Sequence, residues 1–326
     1  MHNCGVCGII VHYECGFGQF HPSWIFLFAP TSRRVGFAGV LLGTRFPGQA
    51  FFGHSSIRAV FCRTIVFFAT TLGWIRYAVR EGMIPVVDMQ TWLNQHLEWW
   101  EVGRKNAWEF YFEQPCEYSL ADIRHAANVV IANGTIAPCN VGLWDVVNSA
   151  QLAEELRGLV RKYMRIKHET LVGFNNPEFE DALRRDGKSL IGVRARGTDY
   201  CAVRPHGSAV QPEVGDFIRK LSEFPRNSSI YLVSEDKNII EPMKEAYGDR
   251  LIFSKQALPD YRGGLMPTCR IKGYTREREG AGYLKAIYDL SRCPNFIGGC
   301  NNGTFAAYLL SKGYDTFHSF DLGTYP

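Results

Sequence analysis

Charged side chains follow directly after a short apolar run in the middle of the chain. Residues 190–193 (L-I-G-V) have the composition of a buried strand, and Arg194, Arg196 and Asp199 come immediately after it. In open α/β sheets the ligand crevice lies just beyond the carboxyl ends of the strands, so a site is predicted here. Two guanidinium groups and a carboxylate suit a multiply charged, oxygen-rich ligand such as a nucleoside diphosphate sugar. A surface cluster of ion pairs on a loop is the alternative interpretation.

Two further predicted strands, residues 229–233 and 295–298, also end in polar residues. Those residues are Ser234, Glu235, Asp236, Asn302, Gly303 and Thr304. If the three strands are neighbours, their ends converge. Glu235 or Asp236 would then accept hydrogen bonds from a ribose or a base edge, and the helix start at 302–304 would hold phosphate oxygens. The alternative is that Asp236 and Asn302 only cap helices.

The pattern along the chain predicts helices alternating with strands, hence parallel sheets covered by helices. Predicted strands are 83–88, 190–193, 229–233, 250–253, 295–298 and 316–320; predicted helices are 70–80, 106–115, 120–127, 152–170, 213–224, 239–247, 282–291 and 305–311. Turn signals in 173–188 indicate a crossing between two domains. Trp108 and Phe112, in an aromatic segment, are predicted to be core residues.

Composition excludes several classes of protein. The net charge of +4 over 326 residues, without a basic run carrying interleaved aromatics, argues against a nucleic-acid partner. No apolar stretch is long enough to span a bilayer, and the first residues lack a secretory signal. Ten scattered cysteines favour free thiols, hence a cytoplasmic location, with peripheral membrane association left open. Residues 1–62 are atypical, since Glu14 is the only acidic residue before Glu81.

Familiar catalytic and phosphate-binding motifs are missing from the sequence. Gly187-Lys188-Ser189 ends like a P-loop, but Ala182 stands where its first glycine belongs. There is no Asp-x-Asp dyad for a metal and no G-x-S-x-G elbow. The Cys4-x-x-Cys7 pair lacks a second pair at zinc-finger spacing, so no metal site is predicted.

The segment I-G-V-R-A-R-G-T-D-Y resembles the His-x-Arg-Arg-(Gly)-Asp signature of the GT-B fucosyltransferases, the α1,2-, α1,6- and protein O-fucosyltransferase group. L-V-S-E-D at 232–236 is similar to a strand of that group that ends in an acidic pair. I-Y-D-L-S at 287–291, followed by N-F-I-G at 295–298, is similar to the group's last nucleotide-binding block. Trp108-Glu109 with Phe112 and Pro115 is similar to its N-terminal Trp-Glu piece. The resemblance covers residues 69–313.

The resemblance implies a GT-B fold: two Rossmann-like parallel-sheet lobes with a central cleft. Residues 63–172 would form the acceptor-side domain and 173–326 the nucleotide-sugar domain. It implies transfer of fucose from GDP-fucose to a glycan acceptor, with inversion and without a metal or other cofactor.

By position, the resemblance places Arg196 at the donor β-phosphate, Asp199 at the motif's acid, Glu235 and Asp236 near the nucleoside, and Thr304 near the phosphates. Arg194 stands where the motif has its histidine and would replace that residue's contact with the donor. Gly197 stands where the motif has its second arginine. Asp199 is favoured over His206 and Glu213 as the general base.

Two other classes stay open. One is a non-catalytic relic that binds a nucleotide or a glycan, favoured by the altered motif and the atypical N-terminal segment. The other is a transferase that uses a UDP- or ADP-sugar. The sequence predicts neither the linkage formed nor the oligomeric state.

Overall fold

The structure, a computed structural model, describes residues 64–90, 94–123, 126, 128–132, 137, 139–254, 271 and 273–326. It also describes four strands within the predicted atypical segment 1–62. The strands are β1 Cys7–Val11, β2 Glu14–Cys15, β3 Gln19–Phe20, β4 Ser23–Phe28, β5 Met83–Asp88, β6 Asn128–Ala132, β7 Ile191–Arg194, β8 Ile230–Val233, β9 Leu251–Phe253, β10 Asn295–Gly299 and β11 Thr316–Phe320.

The helices in the described part are α1 Thr64–Arg80, α2 Leu120–Ile123, α3 Leu143–Val147, α4 Ala150–Tyr163, α5 His168–Val172, α6 Pro177–Asp186, α7 Asp199–Val203, α8 Val214–Leu221, α9 Lys237–Tyr247, α10 Arg276–Leu290 and α11 Asn302–Leu310. Single 3₁₀ turns lie at Ala107–Phe110, Gly187–Ser189 and Gly248–Arg250. Among these described helices, none combines the length and the apolar character needed to cross a membrane.

The C-terminal half is an α/β unit around a five-stranded parallel sheet in the order β11-β10-β7-β8-β9. The chain adds strands outward from β7 on one side and then returns to add β10 and β11 on the other. This is the Rossmann-like order, and its topological switch point lies between β7 and β10. The register pairs Arg194 with Gly298, so both strands end at the same level.

Alternate residues of the sheet enter two apolar layers, as a strand covered on both faces requires. Ile191 and Ile230 belong to a cluster with α8 and α9. Tyr231 and Phe296 belong to a larger cluster that runs through α10 and α11 into α1 and α4. This larger cluster contains residues from both sides of the predicted domain boundary at 172/173, and the boundary itself stays a prediction.

In the N-terminal half, four of the described strands form a mixed sheet, β1-β6-β4-β5, and β2 and β3 form a separate antiparallel pair. Strand β4 runs antiparallel to β1, β5 and β6, whereas β1 runs parallel to β6. The Rossmann-like lobe is therefore shown once. Within the described residues a second such lobe, which the GT-B prediction requires, is not shown.

The helices differ in places from those that the sequence predicts. The turn signals in 173–188 coincide with a helix that the sequence did not predict: Asn176 caps Phe179 N at 3.4 Å, and Pro177 occupies the first turn of α6. The single helix predicted over 152–170 is interrupted between Tyr163 and His168, where Ile166 forms an antiparallel bridge with Phe112.

The core prediction for the aromatic segment is confirmed. Trp108 and Phe112 are 1% and 2% exposed, and their rings stack with centroids 4.3 Å apart. The Trp108 indole N–H donates to the carbonyl of Glu113 at 2.9 Å. The side chains therefore fill the core, and a short 3₁₀ turn replaces the predicted helix.

His96 is buried beneath the start of α10. Its Nδ1 lies 3.0 Å from the Tyr111 hydroxyl, and Tyr111 in turn reaches the Arg276 carbonyl at 3.4 Å. Burial, followed by the positive charge of Arg276, lowers the pKa of His96 to about 3. The folded protein therefore holds a neutral imidazole across the ordinary pH range.

We expect acid to destabilise the fold through His96. The folded-state pKa lies below the unfolded value of 6.5, so protonation favours the unfolded chain, and stability falls as pH drops from 6.5 towards 3. Between pH 7.5 and pH 5 this linkage costs about 2 kcal/mol. Urea unfolding at both pH values should show that extra loss in the wild type and not in His96→Gln. An equal loss in both proteins would assign the pH dependence to other groups.

Candidate functional site

The switch point of the parallel sheet gathers the polar segments that the sequence singled out. Residues 195–198 follow β7, residues 234–236 follow the neighbouring β8, and residues 300–301 lead from β10 into α11. All three segments leave the carboxyl ends of adjacent parallel strands. In an open α/β sheet this edge is where ligands bind.

Arg194 lies under the site and is 0% exposed. Its NH1 donates to the carbonyls of Ala195 and Val233 at 2.9 and 3.1 Å and to Glu235 Oε2 at 3.0 Å. Burial alone would lower the pKa of Arg194, but the nearby Glu235 carboxylate and Tyr283 raise it above its ordinary value. Arg194 is a permanently charged brace between β7, β8 and α10.

The other side of the same guanidinium faces the start of α11. Arg194 NH2 donates to the Tyr283 hydroxyl at 3.2 Å, and its Nε has no hydrogen-bond partner in the described part of the chain. A Cβ at Gly303 would lie 3.0 Å from both Arg194 Nε and the Tyr283 hydroxyl. A side chain at position 303 would therefore be tightly packed unless Arg194 or Tyr283 shifted. Sequence reasoning missed Tyr283 because a tyrosine inside a helix is usually a core residue.

Arg196 is half-buried, in contrast to Arg194. Its guanidinium lies over the Tyr200 ring, 4.2 Å from the centroid, which fixes the plane of the group. Asp199 begins α7, and its side chain lies outside the described part of the structure. Of the two arginines in the motif, Arg196 is the one whose side chain reaches solvent.

Asp236 is both a helix cap and a clamp on the loop that follows β7. Its Oδ1 accepts from Asn238 N at 2.9 Å, and its Oδ2 accepts from Thr198 N at 2.6 Å. Thr198 has a φ of 53°, and a Cβ at Gly197 would collide with the Asp236 carboxylate. The clamp therefore holds a strained backbone that needs glycine at 197, where the resembled motif has arginine. Both Asp236 oxygens are occupied within the protein.

We expect Asp236→Ala to destabilise the protein by about 2–3 kcal/mol, because it removes a cap and also the buried hydrogen bond from Thr198 N to a carboxylate. Ser149→Ala is the matched control, since Ser149 caps Leu152 N of α4 at 3.2 Å. Losing that cap alone should cost about 1 kcal/mol. Equal losses in urea unfolding would show that the bond to Thr198 contributes nothing.

The start of α11 is ordered by its own side chains. Asn301 Oδ1 accepts from Thr304 N at 3.1 Å, and the buried Thr304 hydroxyl donates to Gly299 O at 2.6 Å. Asn302 is exposed, and Gly303 is buried against the guanidinium of Arg194. The first N–H groups of a helix lack intrahelical acceptors, so this end presents positive dipole to an anion. The Thr304 hydroxyl faces the protein.

The segment after α7 is tied down by the C-terminal residues. Val210 N donates to Gly323 O and Tyr325 N to Ser208 O, both at 2.9 Å. His206 and Glu213, the other candidate bases, are exposed on this segment and at the start of α8. Gln211, which the sequence did not single out, accepts from Asn301 Nδ2 at 3.1 Å and so joins the segment to α11.

No protein-family model and no curated protein matches this chain. The function is therefore argued from the site. Within the described residues, no group of three or more His, Cys, Asp or Glu side chains is arranged to hold a metal ion. The positive charges that the described residues place at the switch point include the Arg196 guanidinium and the α11 N-terminus, with the Arg194–Glu235 pair beneath them. This arrangement suits a ligand with adjacent anionic oxygens.

Proposed function

We propose that the protein is a glycosyltransferase that binds a nucleoside diphosphate sugar at the switch point between β7 and β10. The observation that carries the proposal is that Arg196 follows β7 and the N-terminus of α11 follows β10, beyond the carboxyl ends of two adjacent parallel strands. A diphosphate is the anion that such a pair would hold. Resemblance to the GT-B fucosyltransferases makes GDP-fucose the favoured donor, with the acceptor-side lobe formed by residues 63–172.

The proposed reaction is a single displacement with inversion. The acceptor hydroxyl oxygen attacks the anomeric carbon of fucose, and the bond from that carbon to the β-phosphate oxygen breaks with its electron pair. The proton of the hydroxyl goes to the general base, which we assign to Asp199. Arg196 and the α11 N–H groups stabilise the charge that develops on the departing GDP.

The burial of Arg194 and Glu235 changes two of the roles expected from the sequence. Their pairing at 3.0 Å favours a support role beneath the donor over direct contact with it. In this proposal Arg194 supports the start of α11 from below, and Tyr283 and Gly303 set its distance.

Thermal unfolding with GDP, UDP, ADP and GDP-fucose tests the proposal. A ligand at 100 times its Kd should add about 2.7 kcal/mol of stability. We expect stabilisation by GDP and GDP-fucose, smaller in Arg196→Ala and retained in full in Arg226→Ala, a control on an exposed loop at the other end of the sheet. Selective stabilisation by UDP or ADP would reassign the donor. Stabilisation by none of the four would contradict the transferase proposal, and binding without turnover would favour the relic.

A further inference from the structure

A cavity of about 290 Å³ opens between the C-terminal ends of α4 and α11, with α5 and α10 completing its walls. Its apolar lining consists of Val160, Met164, Ile166, Leu171, Leu309 and Leu310. Val160, Met164 and Leu309 are at most 3% exposed and form the floor. The cavity is thus an apolar recess that is open to solvent on one side.

Three cationic side chains, Arg161, Arg165 and Lys312, line the same cavity and are exposed. Arg161 pairs with Glu154 and Arg165 with Glu113, each at 2.6 Å. Lys312 forms no ion pair with the residues that the structure describes. Cations at helix C-termini also complement the helix dipoles, and this alone would account for the three basic residues. It does not account for the apolar recess between them.

The recess is separate from the candidate donor site. Helix α11 has nine residues, begins at the switch point with Asn302 and ends at the recess with Leu310. At 1.5 Å per residue the two sites lie at opposite ends of a helix about 13 Å long. A ligand in the recess therefore leaves the switch point open.

We propose that this recess binds the hydrocarbon chain of a single-chain anionic lipid, whose headgroup pairs with Lys312 and the two arginines. The apolar floor favours an apolar chain, because covering it removes apolar surface from water. The positive rim requires a negative headgroup. The volume equals that of about ten water molecules, so a chain of about eight to ten carbons fills it.

Calorimetric titration of the full chain with hexyl, octyl, decyl and dodecyl phosphate, each below its micelle concentration, tests the proposal. Affinity should rise about fourfold per methylene until the recess is full near decyl, and then level off. Inorganic phosphate and decyltrimethylammonium should each bind at least about tenfold more weakly than decyl phosphate. A rise that continues unchanged to dodecyl, or equal binding of the cationic amphiphile, would overturn the proposal.

Two variants locate the binding. Lys312→Glu should weaken decyl phosphate binding on the order of tenfold, whereas Arg226→Glu, an equal charge change on a distant exposed loop, should leave it unchanged. Leu171, on α5, is half-buried at the wall of the recess. Leu171→Trp should abolish binding, because the larger side chain would occupy the recess. Thermal unfolding of each variant verifies the fold. Equal weakening by Lys312→Glu and Arg226→Glu would show a general charge effect and contradict the assignment.

Discussion

Replacing Arg196 by alanine should reduce the hydrolysis of GDP-fucose to GDP and fucose by about 10²–10³-fold, with water as the acceptor. In the proposed mechanism this guanidinium faces the charge that grows on the leaving phosphate, so its loss raises the transition-state barrier more than it weakens ground-state binding. GDP release measured at saturating donor is the readout. Arg196 is half-buried and stacked on Tyr200, so the variant should still fold.

Arg196→Lys separates charge from geometry. Lysine keeps the positive charge and loses the planar fork that binds two oxygens at once, so its rate should lie between those of wild type and alanine. Arg226→Ala should retain the wild-type rate. Wild-type activity in Arg196→Ala, from a protein with unchanged thermal unfolding, would remove this residue from the proposed mechanism.

Replacing Glu235 by leucine should destabilise the protein by about 3–5 kcal/mol, because it leaves the fully buried Arg194 without its counter-charge. The neighbouring carbonyls and Tyr283 still accept from the guanidinium and do not neutralise it. Urea unfolding monitored by circular dichroism measures the loss. A change this large would mark the pair as a structural brace.

The double variant Arg194→Met with Glu235→Leu is the control for that interpretation. With both charges removed, no ion is left buried and unpaired, so the double variant should lose less stability than Glu235→Leu alone. A double variant whose loss equals the sum of the two single losses would show that the charges act independently.

The fold of the C-terminal half was predictable because its strands are short apolar runs followed at once by polar residues. Predicted strands 190–193, 229–233 and 295–298 match the three central strands to within one residue at each end. The sheet order was not readable from the chain, since neighbouring strands β7 and β10 are about a hundred residues apart. The switch point, on which the site depends, therefore appears only in the structure.

The different roles of the individual site residues were less predictable. Sequence spacing treats Arg194 and Arg196 alike, and the two-residue period of a strand would even place them on the same face. The strand ends at Arg194, which is buried between Glu235 and Tyr283, whereas Arg196 lies in the loop that follows and is half-buried. Tyr283 and Gln211 lie far from the motif in sequence and gave no signal of their own. The helix missed at Pro177 had its cap signal in Asn176, which was interpreted as a turn.

The most direct test of the central claim is an amide NMR titration of ¹⁵N-labelled protein with GDP and with GMP. If the switch point holds a diphosphate, GDP should shift the backbone amides of Arg196, Gly197, Asn302 and Gly303, and GMP, which lacks the second phosphate, should shift them much less. Shifts confined to other parts of the chain, or equal shifts with both nucleotides, would contradict the claim that Arg196 and the α11 N-terminus form the diphosphate site.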